Sequence, residues 1–206
     1  MIIYVTKQTR ERYKIKLPHE QEPPIDSYMR MLIEKEGGDE ILEWGCKLFY
    51  FDGRKCVQLV NFASKFTVFL CDIKVADMNT LGDRLANYLL EMFKDDTLMY
   101  HCIEKMLRES PLFCFDKLAN KSIISTLNKN QLDFAFDGYR FYDYIDNGIL
   151  RTLQINHDVN FDWLVTKEIN GKKEYVFPGE LFRKMMIQRY GEIETPTIAH
   201  FPQNIS

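Results

Sequence analysis

Runs of alternating or continuous apolar residues mark strands in this chain, and apolar residues recurring every three to four positions mark helices. Met1 to Val5 is a β-branched and aromatic run that predicts a strand, with Thr6 as a cap for a short helix in the charged stretch Lys7 to Lys16. Prolines 18, 23 and 24 make His19 to Pro24 a connecting loop. Ile25, Tyr28, Met29, Leu32 and Ile33 then fall on one helical face that Gly37-Gly38 ends. Three strands follow: Trp44 to Phe51, Cys56 to Phe62 and Phe66 to Ile73, with Asp52-Gly53 as the first turn and Ala63 to Lys65 as the second break. Both parities of these strands are rather apolar, so the sheet is expected to be covered on both faces.

Leu81, Leu85, Tyr88, Leu89, Met92 and Phe93 form the stripe of a further helix, interrupted at Asp95-Asp96 and resumed from Leu98 to Arg108. Ser110-Pro111 stops it ahead of a short strand, Leu112 to Phe115. Asn120 opens the longest helical pattern, expected to run to about Ile145 and to close at Asn147-Gly148. Asn170-Gly171 joins Trp163 to Ile169 and Lys172 to Phe177 into a hairpin, and Pro178 starts a last helix through Tyr190. The expected fold is α+β: an antiparallel β-meander flanked by helices in a single domain over 1–190, with residues 191–206 as a loose tail.

Composition narrows the function more than the fold. The 206 residues carry 27 Lys and Arg against 30 Asp and Glu, a net charge of -3, so nucleic-acid binding would need a local basic patch. Lys7, Arg10 and Arg12 come soon after the first strand and no long apolar run follows, which predicts a cytoplasmic protein without a membrane span. Five cysteines without a C-x-x-C pair read as buried reduced thiols, and no cofactor is expected. There is no P-loop, no dinucleotide fingerprint, and no G-x-S-x-G elbow around Ser110, Ser122 or Ser125.

The sharpest local signal is Asn120-Lys121-Ser122-Ile123-Ile124-Ser125-Thr126-Leu127-Asn128. A capping residue starts a helix there, and Lys121, Ser125 and Asn128 share a polar face. Free N–H groups and the positive end of the helix dipole let Lys121 and Ser122 hold a phosphate or carboxylate; an ordinary capped helix with a solvated side explains the same residues.

This run, together with the opening Met1 to Lys7 and the meander Trp44 to Ile73, resembles an uncharacterised bacterial family built on a domain of unknown function. The helix start of that family reads Asn-Arg-Ser, then a small residue and Asn; here Lys121 stands for the Arg and Ser125 for a common Gly. The resemblance spans the first three quarters of the chain and implies a shared α+β fold, with no activity attached.

Asp133 and Asp137, one turn apart on the same helix, are the candidate carboxylates for a divalent cation, with Arg140 as a neutralising neighbour that makes a solvated face the other reading. Phe134, Tyr139, Phe141, Tyr142 and Tyr144 read as core packing or as a stacking surface for bases. Without a convergent catalytic set, the leading expectation is a non-enzymatic binding or regulatory module with another protein as its partner, an antitoxin-like role being one version. The rival is a metal-dependent enzyme on a phosphorylated or nucleic-acid substrate, with Lys121 and Ser122 holding an anion and Asp133 and Asp137 a metal.

Overall fold

The computed structural model describes residues 1–192. Strand β1 (Ile2–Val5) leads into helix α1 (Lys7–Tyr13) and then α2 (Ile25–Glu36), followed by β2 (Glu43–Phe51), β3 (Arg54–Asn61) and β4 (Thr67–Cys71). Helices α3 (Leu81–Met92) and α4 (Thr97–Glu109) precede β5 (Cys114–Lys117) and the long α5 (Lys121–Phe136). A two-residue ribbon, β6 (Ile145–Asp146) and β7 (Ile149–Leu150), precedes α6 (Thr152–Phe161), the hairpin β8 (Val165–Ile169) and β9 (Lys172–Val176), and α7 (Pro178–Tyr190).

The α+β class and the meander are present, but the main sheet is mixed rather than purely antiparallel. Its order is β4-β3-β2-β1-β5, with β2, β3 and β4 antiparallel and β1 pairing in parallel with both β2 and β5. The β1–β2 joint is a crossover through α1 and α2, whereas β5 reaches the free side of β1 from β4, at the opposite edge of the sheet, through α3 and α4. Parallel neighbours require such long helical links, so their pairing leaves no turn signal in the sequence.

Strand alternation sends Ile3, Val5, Trp44, Cys46, Leu48, Val57, Leu59, Val68 and Leu70 to one face, where α1, α3, α4 and α7 cover them. The opposite face is covered in patches. Ile2 packs under α2, Val60 under the first turns of α5, and Phe49, Phe51, Cys56 and Phe69 under the end of α5 and α6. Phe134 lies at the centre of the last patch, with ring centroids 5.1 Å from Phe51, 5.2 Å from Phe69 and 5.1 Å from Trp163. Phe134, Phe141 and Tyr144 are thus core residues, while Tyr142 is exposed.

Two further expectations are corrected. The helix that starts at Asn120 stops at Phe136 instead of Ile145, because Gly138 takes a left-handed φ of +73 and Phe141–Tyr144 forms a separate 3-10 turn. Asn147-Gly148, with φ of 50 and 78, is the turn of the β6–β7 ribbon and does not end a helix. The expected tail lies outside the described residues from 193 onward.

Candidate functional site

Asn120 makes the α5 N-cap expected of it, its side chain accepting from the Ile123 N–H at 3.1 Å. The first turn lies close against β2 because residue 45 is glycine: a Cβ there would run into the Ile123 side chain. This approach brings Ser122 over the β3–β4 connection, where Lys65 donates from Nζ to Ser122 Oγ at 2.8 Å.

Lys65 is 2% exposed. It is held by a turn that Asn61 braces: Asn61 Nδ2 donates to the carbonyls of Glu40, Ile41 and Glu43, and Asn61 Oδ1 accepts from both the N–H and the hydroxyl of Ser64. The Lys65 N–H returns to Asn61 O at 3.0 Å, and Lys65 itself adopts a left-handed φ of 66. That conformation costs a side-chain-bearing residue about 1 kcal/mol or more, so the surrounding turn imposes it. Among the described residues no carboxylate comes within ion-pairing distance of Lys65. Burial pushes its ammonium down to about 8, nearby Lys167 acts in the same direction, and Glu40 opposes both. Lys167 takes the Glu40 carboxylate at 3.5 Å and donates to Phe62 O at 2.9 Å.

In front of Ser122 lies a groove of about 290 Å³ between the first turns of α5 and the β8–β9 hairpin. Ser122, Ser125, Thr126 and Lys129 line one wall; Thr166, Glu168 and Lys173 line the other. Lys65 stands behind Ser122, so the chain Lys65 Nζ–H to Ser122 Oγ, with the hydroxyl proton free to point outward, presents a polarised donor to the groove.

The sequence-selected residues separate here. Ser122 and Ser125 line the groove. Lys121 is exposed beside it, and Asn120 is committed to the cap. Asn128 turns to β2 instead, accepting at 2.7 Å from Lys47, which also donates to Gln131 at 2.9 Å. Asp133 pairs with Lys129 on its own helix, and Asp137 lies at the helix end, where its N–H bonds Asp133 O. Arg140 pairs with Asp52 across the β2–β3 turn, not with Asp137. Among the described residues, His157, Asp158 and Asp162 are three metal-ligand types brought within 4.8 Å of one another; they are largely exposed and Asp133 and Asp137 are not among them.

Lys65 and the hairpin residues Thr166 and Lys173 escaped sequence reasoning. A lysine between Phe62 and Phe66 reads as a solvated turn, although Asn61, Ser64 and Lys65 are the polar interruption of an otherwise apolar run. A larger crevice, about 620 Å³, opens at the carboxyl ends of β1 and β5, where the following helices α1 and α5 pack on opposite faces of the sheet. Lys7, Arg10, Lys14, Lys16 and Lys117 face it, with Lys7 paired to Glu11 and Arg10 to Glu20.

No helix among the described residues is long and apolar enough to cross a membrane. No curated protein and no solved structure matches the chain. The family model described as a domain of unknown function, DUF6933, matches residues 2–181, from the first strand of the sheet through the groove and its hairpin into α7, and the chain belongs to that family.

Proposed function

We propose that the protein is a binding module that takes a phosphate or carboxylate group of a protein partner in the groove between α5 and the β8–β9 hairpin. The carrying observation is Lys65, a buried cation that among the described residues has a single hydroxyl for a side-chain partner and no counter-ion. Burying an ammonium without an opposite charge is costly, and an anion at Ser122 offsets that cost by attraction through the hydroxyl. Ser125, Lys129 and Lys173 supply further donors at the groove mouth, although Lys129 is shared with Asp133 and Glu168 opposes an anion. The bacterial, cytoplasmic and regulatory character expected from the sequence belongs to the same reading.

Titration calorimetry and thermal melting with inorganic phosphate and with citrate test it. Wild type is expected to bind and to melt higher, because ligands of the native state raise apparent stability, and Lys65→Met and Ser122→Ala are expected to lose the shift. A shift retained in both variants but lost in Lys14→Glu and Lys117→Glu would move the anion to the crevice at β1 and β5. No shift with either anion would end the proposal.

A further inference from the structure

Beyond the groove, the structure brings one pair of thiols together. Cys56 on β3 and Cys71 on β4 are direct cross-strand partners. The register fixes what kind of pair this is. Asn61 N–H bonds Phe66 O at the turn, and counting back in steps of two makes Leu59–Val68 and Val57–Leu70 the hydrogen-bonded pairs. Cys56–Cys71 is therefore a non-hydrogen-bonded pair, as are Val60–Thr67 and Gln58–Phe69. The backbone groups of Thr67 and Phe69 accordingly point away from β3, toward α6. Such pairs hold Cα atoms about 4.5 Å apart, inside the span of roughly 4.4–6.8 Å that a disulfide bridges.

Access differs between the two sulfurs. Cys56 is buried among the aromatic rings under α5, whereas Cys71 is half-buried and opens into a pocket of about 400 Å³ between β4, α3 and the start of α6. The two thiols act on each other: contact with Cys71 lowers Cys56, and contact with Cys56 together with burial raises Cys71. The other three thiols have no such partner; burial pushes Cys46 and Cys102 upward and Cys114 up to about 12.

We infer that Cys56 and Cys71 form a thiol–disulfide exchange site for small-molecule disulfides, Cys71 being the sulfur that meets the disulfide and Cys56 the sulfur that resolves it. Cys71 gives up its proton as its sulfur attacks one sulfur of RS–SR, forming a mixed disulfide and releasing RS⁻, which takes that proton. The Cys56 thiolate then attacks Cys71 Sγ, forming the cross-strand disulfide and expelling the second RS⁻. The two thiol protons pass to the two leaving thiolates, so each turnover oxidises the dithiol by two electrons and yields two RSH. Excess RSH reverses it. No backbone shift is required, because the strand register already sets the separation.

Incubation of the folded full chain with glutathione disulfide, acid quenching and peptide mapping test this. The expected result is a linkage between the peptides of Cys56 and Cys71, reversed by reduced glutathione, with Cys46, Cys102 and Cys114 still free. Cys56→Ser is expected to trap a glutathione adduct on Cys71, and Cys71→Ser to leave both linkage and adduct absent. Two results would overturn the inference. One is a wild-type chain whose thiols all stay reduced when folded yet oxidise once denatured; the other is an adduct on Cys71 that persists in wild type without transfer to Cys56.

Discussion

The Asn160 side chain bonds both backbone groups of Thr67, accepting from its N–H at 2.7 Å and donating to its carbonyl at 2.6 Å. One turn earlier on α6, Asn156 does the same for Phe69, at 2.6 and 3.1 Å. Two amides spaced by four residues thus stand in for a sixth strand along the outer edge of β4. Sheet edges expose unpaired donors and acceptors that invite other chains, and this one is closed by side chains.

Asn160→Ala leaves two backbone groups in a buried site without partners. The expected loss is about 2–6 kcal/mol of unfolding free energy, measured by urea denaturation, because each unsatisfied group costs about 1–3 kcal/mol. Aggregation of the variant at intermediate denaturant is expected to exceed that of wild type. Asn160→Asp, which keeps the acceptor but sets a buried carboxylate against the Thr67 and Asn156 carbonyls, is expected to lose at least as much as the alanine variant at neutral pH.

Lys65 sets a pH dependence whose sign follows from its lowered value. Between about 8 and its usual 10.5 the unfolded chain binds a proton that the folded chain releases, so this residue makes the protein more stable as pH rises through that window. Below it, the buried charge costs on the order of 3 kcal/mol. Lys65→Met is expected to match or exceed wild-type stability at neutral pH and to lose the rise above pH 8. Tyr13 and Tyr88, pushed up to about 12 by burial, act in the opposite direction above pH 10, where an unfolded tyrosine ionises first. The wild-type minus variant difference, taken by denaturant titration between pH 7 and 9.5, isolates Lys65; a flat difference would contradict it.

Gly45→Ala places a Cβ against Ile123 and forces α5 away from β2. Overpacking of this kind costs about 1–3 kcal/mol. Combining it with Ile123→Ala, which opens the space, is expected to cost less than the sum of the single changes, a coupling that a double-mutant cycle reads directly.

Asp133 and Asp137 are expected to give no metal-dependent stabilisation. Lys129 already neutralises Asp133, and Asp137 lies past the last turn of α5. Melting with magnesium, manganese or calcium is expected to match melting in sodium chloride of equal ionic strength; a rise abolished by Asp133→Asn would restore the metal reading.

How much of this was legible in the chain depended on whether a feature was local. The meander was legible because Asp52-Gly53 supplies two positive-φ residues between strongly β-type runs, and the start of α5 was legible because Asn120 is a strong cap. The parallel partners of β1 were not, since nothing near Ile2–Val5 says that residues 43–46 and 114–117 will flank it. Helix α6 hid for a different reason. Two of its four buried positions, Asn156 and Asn160, are polar, so its inward face has no apolar stripe to read. Lys65 combines both problems: its side chain contradicts its burial, and its partner lies on an element 57 residues away.

Strand β1 lies between two neighbours that both come later in the chain, the second of them more than a hundred residues later. Its pairing therefore waits on long-range closure, while the β2–β3–β4 meander assembles from adjacent segments. Contacts of high sequence separation slow folding because loop entropy must be lost before they form. The meander is expected to acquire hydrogen-exchange protection first in a pulse-labelling experiment, and the Ile2–Val5 amides to gain theirs together with those of Cys114–Lys117, in the step that completes the sheet.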